Sequence, residues 1–288
     1  MRYLKFFQTS SQKKFSYNIA DTDYISDLQI DCLKGFYNGN SEITEKEDFL
    51  NLSNPVMDST FFHDQVLIGE NSYSLTIKSS DTAEYFLKSE MQEFEITNNL
   101  IQSKQSTIDD TLLMGPVFIL NLALNSVFCL HALAFLIKNK LFILMGDSGT
   151  GKSTIARFMD EQPQCQRIAD DILPIKIVKN DLKILPNFPQ LKLPTSLQYK
   201  GTNLVKETTL LFAQKSTEKT NLTLVNSFSS IKKLINHSVA TKLFAPNELE
   251  NHLIFCHKTS TLVKSYQLNY QHSNDSLNQL YNLLYEMV

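Results

Sequence analysis

Hydrophobic and polar positions change rhythm near residue 112. Before it, short stretches alternate: "SYSLTI" (Ser72–Ile77), "EYFLKS" (Glu84–Ser89) and "EFEIT" (Glu93–Thr97), with turn formers between them. A period of two belongs to strands with one buried face, so residues 1–112 are predicted to form a β-rich lobe. The polar "NNLIQSKQSTIDD" (Asn98–Asp110) reads as the joint to the second half of the chain. Residues 113–288 mix apolar runs with helical spacing. "PVFILNLALNSVF" suits a buried helix begun at Pro116, and "LHALAFLIKNKLFILMG" reads as a hairpin turning through "KNK". "KSTIARFMDEQ" is then a helix and "RIADDILPIKIV" a strand ending near its carboxylates. "TLLFA" (Thr209–Ala213), "LTLVN" (Leu222–Asn226) and "SYQLNY" (Ser265–Tyr270) come next as strands. "SSIKKLINHSVATKLF" (Ser229–Phe244) and "NELENHLIFCHKT" (Asn247–Thr259) read as helices. A last helix carries Leu277, Leu280, Leu283, Leu284 and Met287 behind an N-cap at Asp275. Strands alternating with helices predict an α/β domain.

One run raises a membrane question. From Thr111 to Ile137 there is no charged residue, and the length suffices to cross a bilayer. Asn121, Asn125, Ser126 and His131 lie inside it, and Gly115-Pro116 near its start. Polar groups of that kind are costly in hydrocarbon, so the run reads as a buried helix followed by a buried strand.

Composition narrows the classes. Of 288 residues, 42% are hydrophobic and 20% charged, which supports a packed core. A net charge of −3 gives no general attraction to nucleic acid or anionic lipid. Cys32, Cys129, Cys165 and Cys256 are widely spaced, which predicts reduced thiols; with no signal-peptide pattern at the start, the expected compartment is the cytoplasm.

The strongest chemical signal is "GDSGTGKST". Gly146, Asp147, Ser148, Gly149, Thr150, Gly151, Lys152 and Ser153 fit G-x-x-x-x-G-K-[ST], the Walker A pattern, between an apolar strand and a helix. Glycines let the backbone curl so that successive N–H groups point at phosphate oxygens, and the helix N-terminus adds partial positive charge. Lys152 would neutralise the β- and γ-phosphates and Ser153 would offer a magnesium ligand, so ATP and Mg2+ are the expected cofactors, with Thr154 completing the nucleotide site.

Asp170 and Asp171 come at what should be a strand end near the γ-phosphate, on a strand expected beside the loop's own. Either one carboxylate holds magnesium while the other accepts a proton, or one anchors a metal and the other is a solvated turn residue. In the hairpin, Ile137 facing Lys140 sets His131 opposite Gly146, and a turn moved by one residue sets it opposite Ser148. Either register leaves it at the mouth of the loop, as a phosphate contact or carboxylate partner or else as a satisfied core histidine. His63, His237, His252, His257 and His272 show no metal spacing and are taken as structural or exposed. Guanine-reading and transporter-ATPase signatures are absent, and Arg occurs only at positions 2, 157 and 167.

"LHALAFLIKNKLFILMGDSGTGKSTIA…RIADDILPI…FPQLKLP" resembles the HPr kinase/phosphorylase-like kinases, relatives of phosphoenolpyruvate carboxykinase, over roughly residues 115–288. The resemblance implies a P-loop kinase core with a mixed sheet and a homo-oligomeric habit. It implies His131, Lys152 and Asp171 as catalytic residues, Asp171 being the proton acceptor, and Ser153 with Asp170 as magnesium contacts. It also implies phosphoryl transfer to a serine hydroxyl of a peptide, protein or serine-like small molecule. The chain departs from the pattern at Thr154, where an acidic residue is usual, at Gln190, where Arg is frequent, in lacking any Arg after Arg167, and in having only Gly201 downstream of the loop. The alternative is a nucleotide-binding regulatory or scaffolding module.

Overall fold

The computed structural model describes residues 2–6, 14–40, 60–68, 71–79, 83–88, 92–103, 108–189, 207–217, 219–271 and 273–288. Gln190 and Gly201 lie outside the described residues, as does most of "FPQLKLP". The fold is mixed α/β, and its contacts divide it into two units: Met1–Ser126 with Lys242–Glu250, and Val127–Thr241 with Asn251–Val288.

The first unit carries strands β1 (Arg2–Phe6), β2 (Phe15–Ile19), β3 (Thr22–Ser26), β4 (Tyr37–Asn40), β5 (Thr60–Ile68), β6 (Asn71–Ser79), β7 (Glu84–Lys88), β8 (Glu93–Ile96) and β9 (Leu100–Ser103). They form one sheet ordered β4-β2-β3-β1-β9-β8-β7-β6-β5, parallel only where β1 meets β3 and β9. The alternating letters match the pleat: Tyr85, Leu87, Phe94 and Ile96 are buried while their neighbours face outward. The polar "joint" itself contains β9, because Ile101 supplies one more buried position and its backbone closes the ladder between β8 and β1.

After β9 come α1 (Asp110–Leu112), a π-helical turn (Leu113–Val117) and α2 (Phe118–Ala123). The helical stretch thus begins before Pro116, at an Asp109 cap whose carboxylate accepts from the amides of Thr111 and Leu112. Pro116 sits inside it, and the widened turn accommodates a residue without an N–H. Asn121 and Asn125, which argue against a membrane span, bond to the carbonyls of Thr97 and Asn98. Arg2 reaches Tyr24 and Asn121 at 3.0 and 2.7 Å. No helix among the described residues is long and apolar enough to cross a membrane.

The second unit carries β10 (Phe128–Ile137), β11 (Lys140–Met145), α3 (Lys152–Asp160), β12 (Cys165–Ala169), β13 (Ile172–Val178), β14 (Asp181–Ile184), β15 (Thr208–Lys215), β16 (Asn221–Leu224), α4 (Ser227–His237), β17 (Lys264–Tyr270) and α6 (Asn274–Glu286). Between α4 and β17 runs α5 (Pro246–Leu262), whose first residues belong to the other unit. The sheet order is β14-β13-β10-β11-β15-β17-β16, with β12 also on β10; β11, β15 and β17 run parallel and the remaining pairs antiparallel.

One face of this sheet buries Leu133, Phe135, Phe142, Leu144, Leu211 and Leu268 against Ile155 and Met159 of α3 and Leu277, Leu280 and Leu284 of α6. At about 2 kcal/mol per buried aliphatic side chain, that stripe outweighs the poor intrinsic stability of a helix as short as α3. On the other face, Phe128 packs edge-on to His252 and against Phe255 of α5, and α4 lies over β10. Helix α4 stops at His237, short of the predicted Phe244, because Ser238 leaves it to bridge Leu130 of β10. The cap of α6 is Ser273, whose hydroxyl accepts from the Ser276 amide; Asp275 falls in the first turn.

Candidate functional site

Of the two registers expected for the hairpin, the first is observed: Ile137 pairs with Lys140, and Ala132 with Met145, the residue before Gly146. The "ADD" strand does not lie beside β11. It pairs with β10, so β10 separates it from the loop's strand. The run from Cys165 to Val178 breaks once, at Asp170-Asp171, and resumes as β13 where a strand end was predicted. Across the break the Ala132 amide donates to the Asp171 carbonyl at 3.1 Å. Asp171, Ala132, Met145 and Phe212 therefore form one row across the sheet.

From Gly146 to Gly151 the chain folds over the end of that row. Gly149 and Gly151 have φ of +81° and +89°, which a β-carbon would strain. Gly146 is small for another reason: a β-carbon there would stand 2.8 Å from Thr150 Oγ1 and 3.0 Å from the Ala213 carbonyl oxygen. Thr150 Oγ1 donates to the Asp147 carbonyl at 2.8 Å, and the buried Tyr270 hydroxyl donates to the Thr150 carbonyl. Helix α3 begins directly at Gly151 with no side chain capping it. The Lys152 ammonium turns back over the loop, donating to the carbonyls of Gly146 (2.5 Å) and Asp147 (3.3 Å). Ser153 and Thr154 stand exposed in the first turn of α3. An uncapped helix start, a lysine and a glycine backbone together suit an anion.

His131 and Asp171 meet: Nε2 lies 3.5 Å from Oδ1, ion-pair range but long for a hydrogen bond. Asp171 is buried, whereas the His131 side chain is 41% exposed, open to an incoming molecule. Asp170 points elsewhere. Its carboxylate accepts from Arg167 at 2.9 Å, and Arg167 also pairs with Asp160 at the end of α3. This triad fixes the break in the strand against the helix that follows the loop. Among the described residues no three His, Cys, Asp or Glu are grouped to hold a metal, and the four cysteines are free.

His237 is at the site, contrary to the sequence expectation. Its ring stacks on Phe212 (centroids 6.4 Å apart, planes at 20°), in the row of Met145. Burial holds its pKa below the ordinary histidine value, while the neighbouring charge of Asp147 raises it and those of Lys152, His131 and Lys233 lower it. No spacing in the sequence announces this, because the contact depends on α4 ending one residue before the Ser238 bridge. His252 is buried and structural: its Nε2 lies 2.7 Å from Ser238 Oγ, and burial pushes its pKa down to about 4. The His63 side chain and His272 lie outside the described residues. A cavity of about 270 Å³ lined by Asp181, Glu207, Thr208 and Lys264 opens at the opposite end of the strands and includes none of these groups.

No family model matches the sequence, and no curated protein matches it. Among solved structures, the chain is similar to the Hpr(Ser) kinase/phosphatase from Coxiella burnetii, with 9% identity and a TM-score of 0.27 over 55% of this chain and 97% of that one.

Proposed function

We propose that the chain is an ATP- and Mg2+-dependent kinase that transfers the γ-phosphoryl group to a serine hydroxyl of a peptide, protein or serine-like small molecule. The observation that carries this reading is the row Asp171–Ala132–Met145–Phe212, which sets Asp171, the partner of His131, across one strand from the residue that precedes the glycine loop. The residues fit a triphosphate: glycines at positive φ, an uncapped helix start and a lysine converge on one loop. They also fit a magnesium ion that arrives with its nucleotide, since Ser153 offers a hydroxyl and the phosphates supply the remaining oxygens. When bound, the metal neutralises charge on the phosphates.

The protein's own groups do the rest. Loop amides and Lys152 hold the terminal phosphates and stabilise the charge that moves during transfer. Asp171 orients the serine hydroxyl and takes its proton as the oxygen bonds to the γ-phosphorus and the bond from that phosphorus to the bridging oxygen breaks, with ADP as the leaving group. His131, 3.5 Å from that carboxylate, holds it in place for this role. Asp170 braces Arg167, so its expected magnesium contact is indirect.

Asp170's commitment to Arg167 favours a second reading, a nucleotide-binding regulatory module with little transfer. The two separate on incubation with γ-labelled ATP, Mg2+ and a panel of free serine and serine-bearing peptides. The kinase reading predicts alkali-labile label on serine, reduced about 10²–10⁴-fold in Asp171→Asn with nucleotide affinity kept. Firm nucleotide binding with no labelled acceptor favours the module.

A further inference from the structure

His237 occupies a gap that the sheet itself creates. Along β10, residues 132–137 have β11 on one side; at Met145 that strand ends and the loop departs. The vacated side of β10 is taken over by a different segment. Leu130 bridges Ser238, and the Val239 amide donates to the Cys129 carbonyl at 2.8 Å. Chain leaves the sheet as the glycine loop and enters it at Ser238, so His237 is pinned where the two part. The antiparallel bridge at Leu130–Ser238 brings residue 237 level with His131.

Three features set the ring in place. It is the last residue of α4, its plane is stacked on Phe212, and Phe212 is the β15 residue in register with Met145. Asp147, Lys152, His131 and Lys233 surround it closely enough to act on its charge. Burial is the main cause that lowers its pKa, with Lys152, His131 and Lys233 adding to it against the opposing pull of Asp147, and a neutral imidazole has one N–H to donate.

We propose, resting on the phosphate-site reading above, that His237 is a catalytic residue that donates a hydrogen bond to the terminal phosphoryl group held by the glycine loop. The chain has no arginine after Arg167 and spends Arg167 on two carboxylates, so the side of the loop facing α4 has this imidazole where another protein could place a guanidinium. The neutral donor is worth less than a guanidinium, and in this role it would discriminate by length, since a diphosphate lacks the terminal group it is proposed to meet.

The test compares a non-hydrolysable ATP analogue with ADP by calorimetry, in the presence of Mg2+, for the wild type, His237→Gln and His237→Phe. The phenylalanine keeps the stack on Phe212 and removes the donor; the glutamine keeps a donor. The expected result is ADP affinity unchanged in both variants, with ATP-analogue affinity down about tenfold in His237→Phe and largely recovered in His237→Gln. Equal losses for both nucleotides, or none for either, would overturn the role of His237. A wild type that binds neither nucleotide would instead overturn the phosphate site itself.

Discussion

Gly146→Ala isolates the closest contact in the loop. The added β-carbon would meet Thr150 Oγ1 at 2.8 Å, the Ala213 carbonyl oxygen at 3.0 Å and Ala213 Cβ at 3.2 Å. The first neighbour cannot swing away freely, because Thr150 Oγ1 is already bonded to the Asp147 carbonyl. The second is backbone of β15, whose ladder to β17 runs on through Lys215. Something must shift by a few tenths of an ångström, and overpacking of this kind costs about 1–3 kcal/mol. The displaced part is the carbonyl of residue 146, which accepts from Lys152, so the strain falls on the anion site. Gly149→Ala is the control. A β-carbon there has nothing within 4 Å, and its φ of +81° alone costs about 1 kcal/mol. Urea unfolding and nucleotide calorimetry on both variants should show Gly146→Ala losing at least as much stability as Gly149→Ala, and about tenfold or more in ATP affinity. A Gly146→Ala protein with wild-type stability and affinity would refute the claim that the loop is held against β15.

Acid should weaken the second unit through His252. The ring is fully buried, and its pKa of about 4 lies below the free value of 6.5 because burial penalises the charged form. The unfolded chain then binds the extra proton, so stability is complete above pH 6.5 and falls as pH drops toward 4, by at most about 3 kcal/mol. Unfolding free energy measured against pH should show that slope, and His252→Gln should flatten it; an unchanged slope in the variant would assign it to other groups. In the first unit, the Tyr85 hydroxyl accepts from the Ala245 amide at 2.9 Å and donates to Glu248 at 3.2 Å. Tyr85→Phe leaves both partners buried without it, and unfolding should show a loss of about 2–3 kcal/mol; a loss under about half a kilocalorie would mean that other groups satisfy them.

Local rules are legible where local physics decides. The register of the hairpin comes from a two-residue turn, and counting from that turn alone brings Ala132, the neighbour of His131, opposite Met145, the last residue before the loop. The motif locates the glycines, and their positive φ values and close contacts are what that motif requires. Long-range pairing is less accessible. The letters suggest the "ADD" strand beside β11, yet the choice between β11 and β10 depends on which edge of the hairpin is open, and β11 gives its outer edge to β15. Asp170 and Asp171 have the same chemistry, and Arg167, three residues before Asp170, pairs with that one. His237 escapes sequence reasoning because nothing in its neighbours' letters marks the end of α4. That end is set by a bridge to a strand more than a hundred positions away.

The most direct measurement is calorimetric titration of Mg·ATP into the wild-type protein and into Lys152→Ala. Wild-type binding of at least micromolar strength, lost by about a hundredfold or more in the variant, is the predicted result. Equal affinity in the two proteins, or no binding by the wild type, would contradict a triphosphate held between the Gly146–Gly151 loop and Lys152.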